Sequence, residues 1–357
     1  MSQALLSRVV AAGLLAAVVF GAAGAGASRS LVAYNVYSLI SDSSAVQAPL
    51  ADASLVNGWG LSATATSPWW TANNKTNTST LYTGVGSKSA LTVTVAGGPT
   101  GTVANPNTAA FLVSQNGGVS SSARFLFDTQ AGQVLGWSPA VNGTNAVTAV
   151  DNSATGAEYD GLATLNDRLY ATDFRNARVD VFDASFKPLS LGFSDPKIPK
   201  GWAPFGIQAL NGNIFVTYAQ QDSAKRISVP GGGLGYVDEF SPDGALIARV
   251  ASKGSSHAPL NAPWGLALAP ANFGAFSGDL LVGNFGNGRI SAYQQLASGK
   301  WVFKGQLRVA SGAPIVLDGL WAIAFGNGAS AGPTNNLYFL AGPSGQTHGL
   351  FGFIAVG

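Results

Sequence analysis

The sequence predicts an all-β fold, a six-bladed β-propeller of four-stranded antiparallel blades. Three observations carry this. A Gly or Ala that opens an apolar strand recurs six times, at Gly60, Gly101, Gly161, Gly206, Gly265 and Ala322. The spacing runs from 41 residues (Gly60 to Gly101) to 60 (Gly101 to Gly161), one four-stranded blade plus variable loops. After each opening strand come two more short apolar or aromatic runs, joined by turns rich in Gly, Asn and Asp. Such runs suit a pleated surface, and such turns suit tight reversals.

The second and third strands can be read blade by blade. Trp69–Asn74 leads to Ser79–Tyr82 in the first, and Phe125–Asp128 to Gln133–Trp137 in the second. Leu169–Asp173 leads to Arg178–Phe182 in the third. In the fourth, Ile214–Tyr218 leads to Gly235–Phe240 across an insertion holding Gly231-Gly232-Gly233. That insertion lacks the strand–turn–helix setting of a phosphate loop. Leu280–Asn284 leads to Arg289–Tyr293 in the fifth, and Leu337–Leu340 to Gly349–Ile354 in the sixth. The sixth repeat ends before a full outer strand. Tyr34–Ile40, which reads as a strand, is expected to complete it and close the ring, since closure removes exposed sheet edges.

Gly-Leu or Gly-Ile opening a strand that ends in a polar turn resembles the NHL-type six-bladed propellers. Gly58-Trp59-Gly60-Leu61, with Pro68–Asn74 and Ser79–Tyr82, is more specifically similar to an uncharacterised family of secreted propeller proteins. The resemblance covers nearly the whole mature chain. Related propellers include sugar-lactone hydrolases, a streptogramin lyase and interaction modules, so fold alone does not choose an activity.

The N-terminus reads as an export signal over residues 1–27. Arg8 precedes an apolar run from Val9 to Phe20, and Ala25-Gly26-Ala27 forms a small-residue cleavage site before Ser28. Residues 28–357 then form one propeller domain, secreted or periplasmic, monomeric and without a membrane span. The chain has no cysteine. It therefore has no disulfide, no thiol nucleophile and no lipidated cysteine. Loss of Arg8 lowers the formal charge from +2 to +1, and such a chain has no electrostatic footprint for nucleic acid.

Site candidates come from the loops that precede the opening strands. The residue immediately before each opening Gly or Ala, here called the lip residue, is Trp59, Thr100, Asp160, Phe205, Trp264 or Trp321. Four of the six are aromatic. Trp59, Asp160, Trp264 and Trp321 are the expected ligand-binding set, an aromatic collar for a sugar or ring compound. Asp160, Asn261 and Asp318 are the expected ligands if Ca²⁺ or another divalent cation sits in the central channel. Gln208 is the polar exception among the channel-wall positions two residues after each opening residue. His257 and His348 lie in loops far apart in sequence, and no nucleophile–base pair or zinc cluster is evident. The leading function is a module that binds an extracellular ligand or protein through the loop face around the channel. The alternative is a lactonase-like metal-assisted hydrolase or a lyase at the channel mouth.

Overall fold

The computed structural model describes residues 33–254 and 257–357. The signal read at residues 1–27 lies outside the described residues. The fold is all-β, with six blades around an axis. Blade 1 runs outward as Gly58–Ser62, Trp69–Asn73, Thr78–Tyr82 and Lys88–Thr94. Blade 2 is Pro99–Ala104, Phe125–Thr129, Gln133–Trp137 and Val147–Asp151. Blade 3 is Tyr159–Leu165, Arg168–Asp173, Arg178–Phe182 and Pro188–Leu189. Blade 4 is Trp202–Leu210, Asn213–Gln221, Tyr236–Phe240 and Leu246–Ala251. Blade 5 is Pro263–Leu268, Leu280–Asn284, Ile290–Gln295 and Trp301–Gln306. Blade 6 contains Leu320–Phe325, Leu337–Ala341 and Leu350–Val356.

Burial follows from position in the blade. The second strands Trp69–Asn73, Phe125–Thr129, Leu280–Asn284 and Leu337–Ala341 are buried along their whole length. Both of their faces meet a neighbouring blade, which is why they read as near-continuous apolar runs. The outer strands Lys88–Thr94 and Leu246–Ala251 are largely exposed or half-buried and carry polar residues. Separate apolar clusters fill the seams between successive blades. Trp70 of blade 1 stacks on Phe125 of blade 2 with centroids 4.1 Å apart. The remaining cluster joins the blade 6–blade 1 seam to the ring centre.

The inner strands share one irregularity. In all six, pairing with the second strand shifts register at the lip residue, and in five of them the opening residue is unpaired as well. This is a β-bulge, which bends the strand and redirects a side chain. The opening glycine also lies against the next blade. A Cβ on Gly60 would stand 2.5 Å from the Thr100 carbonyl oxygen, and one on Gly265 2.5 Å from that of Trp321. Gly206 meets the Trp264 carbonyl even more closely. Glycine is required there because no side chain fits between the inner strands.

Some short strands were not read from the sequence. Leu112–Ser114 and Ser120–Ser122 form a small hairpin. In the blade 4 insertion, Ser228–Val229 pairs back onto Gln220–Gln221, and Gly233 N–H donates to the Leu260 carbonyl at 2.8 Å. The insertion is thus tied down at both ends.

Tyr34–Ser41 pairs antiparallel with Leu350–Val356, from Tyr34 opposite Val356 to Ser41 opposite Leu350. The Tyr34 hydroxyl donates to the Phe273 carbonyl of blade 5 at 3.0 Å. At the far end of this strand, Asp42 Oδ1 accepts from Gly349 N–H at 2.9 Å and Asp42 Oδ2 lies 2.8 Å from His348 Nδ1. Deleting Tyr34–Ile40 is expected to expose the edge of Leu350–Val356 and to cause aggregation or loss of cooperative unfolding. Size-exclusion chromatography and thermal melting check this. A monomer with unchanged Tm would show that the segment has no closing role.

Candidate functional site

The bulges turn the lip side chains toward the axis, where they meet. Trp59 stacks on Trp321 with centroids 3.6 Å apart. Trp264 stands edge-on to both, at 6.3 and 5.8 Å. Phe205 packs edge-on to Trp59 and Trp321 at 6.4 and 5.8 Å. Phe285 and Phe174, from turns on the same side, stack on Trp321 at 4.1 Å and tilt against Phe205 at 5.3 Å. Such offset and edge-to-face packing is favourable beyond the area it buries. Two indole N–H groups fix the arrangement. Trp264 donates to the Asp160 carbonyl at 2.8 Å and Trp321 to Asn57 Oδ1 at 2.9 Å. All six lip residues are buried. They form a plug across this end of the channel.

Asn57 continues a line of amides across blades 6, 1 and 2. Its Nδ2 donates to Gln346 Oε1 and Asn74 Oδ1, and Asn74 Nδ2 donates to Gln130 Oε1 at 3.0 Å. Asn74 is thus buried and engaged.

The three expected cation ligands have different surroundings. Asp160 is 2% exposed, and its Oδ1 has no hydrogen-bond partner among the described residues. Burial pushes its carboxyl well above the usual range. Glu158, Asp128 and Asp173 push the same way, and Arg226 opposes them. Asn261 Oδ1 accepts from Gly231 N–H at 2.7 Å, and its own N–H donates to Asn284 Oδ1. Asp318 is exposed and accepts from Ser344 N–H at 2.8 Å. Asn261 and Asp318 therefore each secure a local loop. Among the described residues, no group of three or more His, Asp or Glu is placed to hold a metal ion.

Asp128 escaped the sequence reading. It occupies the place in blade 2 that Thr172 and Thr217 occupy in blades 3 and 4. There a hydroxyl serves the bulge: Thr217 Oγ1 accepts from Gly206 N–H at 2.8 Å, and Thr172 Oγ1 donates to the Phe205 carbonyl at 2.8 Å. Asp128 Oδ1 does the same work, accepting from Gly101 N–H at 2.5 Å and from Thr100 Oγ1 at 2.9 Å. Its Oδ2 is buried without a partner among the described residues. Burial pushes this carboxyl up to about 7, against the bonds from Thr100 and Gly101 that favour its charged form. Aligning the second strands of blades 2, 3 and 4 would have shown an acid where the other two carry hydroxyls.

Beyond the plug the channel opens into a cavity of about 420 Å³. Its wall is formed by the later residues of the six inner strands, from Gly60 and Gly101 down to Ala63 and Ala104. Burial decreases along this direction, and Ala63, Ala104, Thr164, Leu268 and Phe325 are half-buried. The cavity therefore opens on the side of the turns joining first and second strands, away from the plug. Of the expected ligand-binding set, Trp264 lines this cavity, while Trp59, Asp160 and Trp321 belong to the plug. Trp69 and Phe325 add aromatic surface. Ser62 and Thr102 hydroxyls lie 3.4 Å apart on the wall. Gln208 is exposed within it, and its amide makes no hydrogen bond among the described residues. None of the described lining residues is ionisable.

No family model matches the chain. The uncharacterised protein R648 of Acanthamoeba polyphaga mimivirus is 31% identical over 345 residues, spanning 92% of this chain and 82% of that protein. This chain belongs to the R648 family. The uncharacterised mimivirus protein L690 is 30% identical over 343 residues, spanning 92% of this chain and 87% of that protein. A crystal structure of a protein of unknown function from Bacteroides thetaiotaomicron shares the fold of this R648-family chain. It has a TM-score of 0.56 at 14% identity, over 90% of this chain and 76% of that one.

The buried acid of this R648-family chain makes stability depend on pH. The Asp128 carboxyl titrates at about 7 when folded, against 3.8 in its ordinary state. Its contribution is complete below the lower value and is lost as pH rises through the higher one. Asp128→Asn keeps the Oδ1 acceptor and removes the titration. Between about pH 4 and pH 8 the wild type should lose up to about 4 kcal/mol relative to the variant. Denaturant unfolding at both pH values measures this, and a constant difference would contradict the assignment.

Proposed function

We propose that this protein is a ligand-binding module that takes a small neutral molecule into the central channel from the side opposite the plug. The observation that carries this reading is the chemistry of the cavity wall. Six strands surround about 420 Å³, within the range of small-molecule sites, with no ionisable side chain among the described lining residues. General acid–base catalysis needs a group that gives or takes a proton within reach of the substrate. A charged ligand needs a counter-charge once it leaves water. The wall offers neither, but it offers apolar surface and a few neutral polar groups, as binding sites for uncharged molecules do. Asp160 belongs to the plug, Asp128 packs against it and neither lines the cavity, which leaves the hydrolase or lyase alternative with less support. The leader read at residues 1–27 supports a role outside the cytoplasm.

A thermal-shift screen tests the proposal with neutral and charged probes of similar size, on wild type and on Ala324→Phe. Ala324 is a half-buried residue of the cavity wall, and the larger ring narrows the channel. A ligand at a hundred times its Kd stabilises the folded state by about 2.7 kcal/mol. At least one neutral probe should raise Tm in the wild type and fail to do so in a folded Ala324→Phe protein. Stabilisation by charged probes alone, or stabilisation unaffected by the substitution, would contradict the proposal.

A further inference from the structure

The inner strands carry information that their side chains do not. Each is the terminal strand of its sheet and pairs with the second strand on one side alone. In an antiparallel strand, alternate residues direct both N–H and C=O to the unpaired side. Each inner strand also packs beside its two neighbours around the ring, blade 6 against blade 1 included. The six unpaired edges therefore face the channel and present backbone donors and acceptors to it.

This pattern discriminates between neutral ligands. A hydrocarbon filling the cavity would strip water from those backbone groups and return no hydrogen bond. A molecule bearing hydroxyls around its rim would replace that water bond for bond, since a hydroxyl both donates and accepts. Gln208 adds an amide with no partner among the described residues, and Ser62 and Thr102 add two hydroxyls. At the plug end the cavity is bounded by Trp264, and Trp69 is among its lining residues. The fitting molecule is neutral, polyhydroxylated around its edge and apolar on one face.

Resting on the channel-binding reading above, we propose that the ligand is a neutral mono- or disaccharide, with hydroxyls bound to the strand edges and Gln208 and a C–H face against Trp264. The class follows from neutrality, edge hydrogen bonding and cavity size together.

Calorimetric titration tests this on the full chain. The probes are neutral hexoses and hexose disaccharides, glucuronate and glucosamine as charged counterparts, and indole as a ring without hydroxyls. At least one neutral sugar should bind, with glucuronate, glucosamine and indole at least tenfold weaker. Gln208→Ala should weaken that sugar by about tenfold, consistent with a lost hydrogen bond, and Ala324→Phe should abolish binding. Gln208 is exposed, so its variant keeps the test readable if Ala324→Phe misfolds. Indole binding that Ala324→Phe blocks, with no neutral sugar bound, would overturn the sugar assignment and leave channel binding standing. Binding by no probe, or binding that neither variant alters, would overturn both.

Discussion

The contact on which the rest of the structure depends is that between the opening glycine of one blade and the lip carbonyl of the next. Gly60 faces the Thr100 carbonyl, Gly161 that of Phe205, Gly206 that of Trp264 and Gly265 that of Trp321. In these four blades a β-bulge at the lip residue bends the chain to make this approach. Two consequences follow. The bulge throws the lip side chains onto the axis, so that Trp59, Phe205, Trp264 and Trp321 pack on one another instead of rimming an open mouth. It also leaves the later residues of each inner strand further from the axis than the plug, and the cavity forms there.

Bulges leave backbone groups without ladder partners, and these must be met where they are buried. Thr217 and Thr172 meet them with a hydroxyl, which holds no charge. Asp128 meets them with a carboxyl whose second oxygen is stranded. That choice raises its proton affinity and couples blade 2 to pH. Asp160 is stranded nearby in the same plug, with its carboxyl pushed the same way. The acids thus cluster on the blade 2–blade 3 side of a plug otherwise built from rings.

Much of the fold was legible because each blade repeats the same solution. The glycines, the apolar second strands and the turn chemistry all pointed to six blades, and the lip residues were recognised as a set. Their destination was not legible. The sequence shows that Trp59, Trp264 and Trp321 share a position, but not whether three rings meet or stand apart around a hole. That depends on the radius of the ring, which the glycine–carbonyl contact sets. Asn261 and Asp318 looked like free oxygen ligands because their partners, Gly231 and Ser344, lie 30 and 26 residues away. Gln208 was recognised as a polar channel residue. The cavity around it was not, since it is walled largely by backbone edges, and backbone leaves no mark in composition.

The most direct test compares the thermal unfolding of two glycine-to-alanine variants. Gly206→Ala places a methyl group against the Trp264 carbonyl, whereas Gly192→Ala places one in open space. If the glycine–carbonyl contact sets the ring, Gly206→Ala should lower stability by roughly 1–3 kcal/mol, the usual cost of overpacking. Gly192→Ala should stay close to the wild type. Equal stability of the two variants would contradict the account, because the inner strands would then have room that the glycine contact denies them.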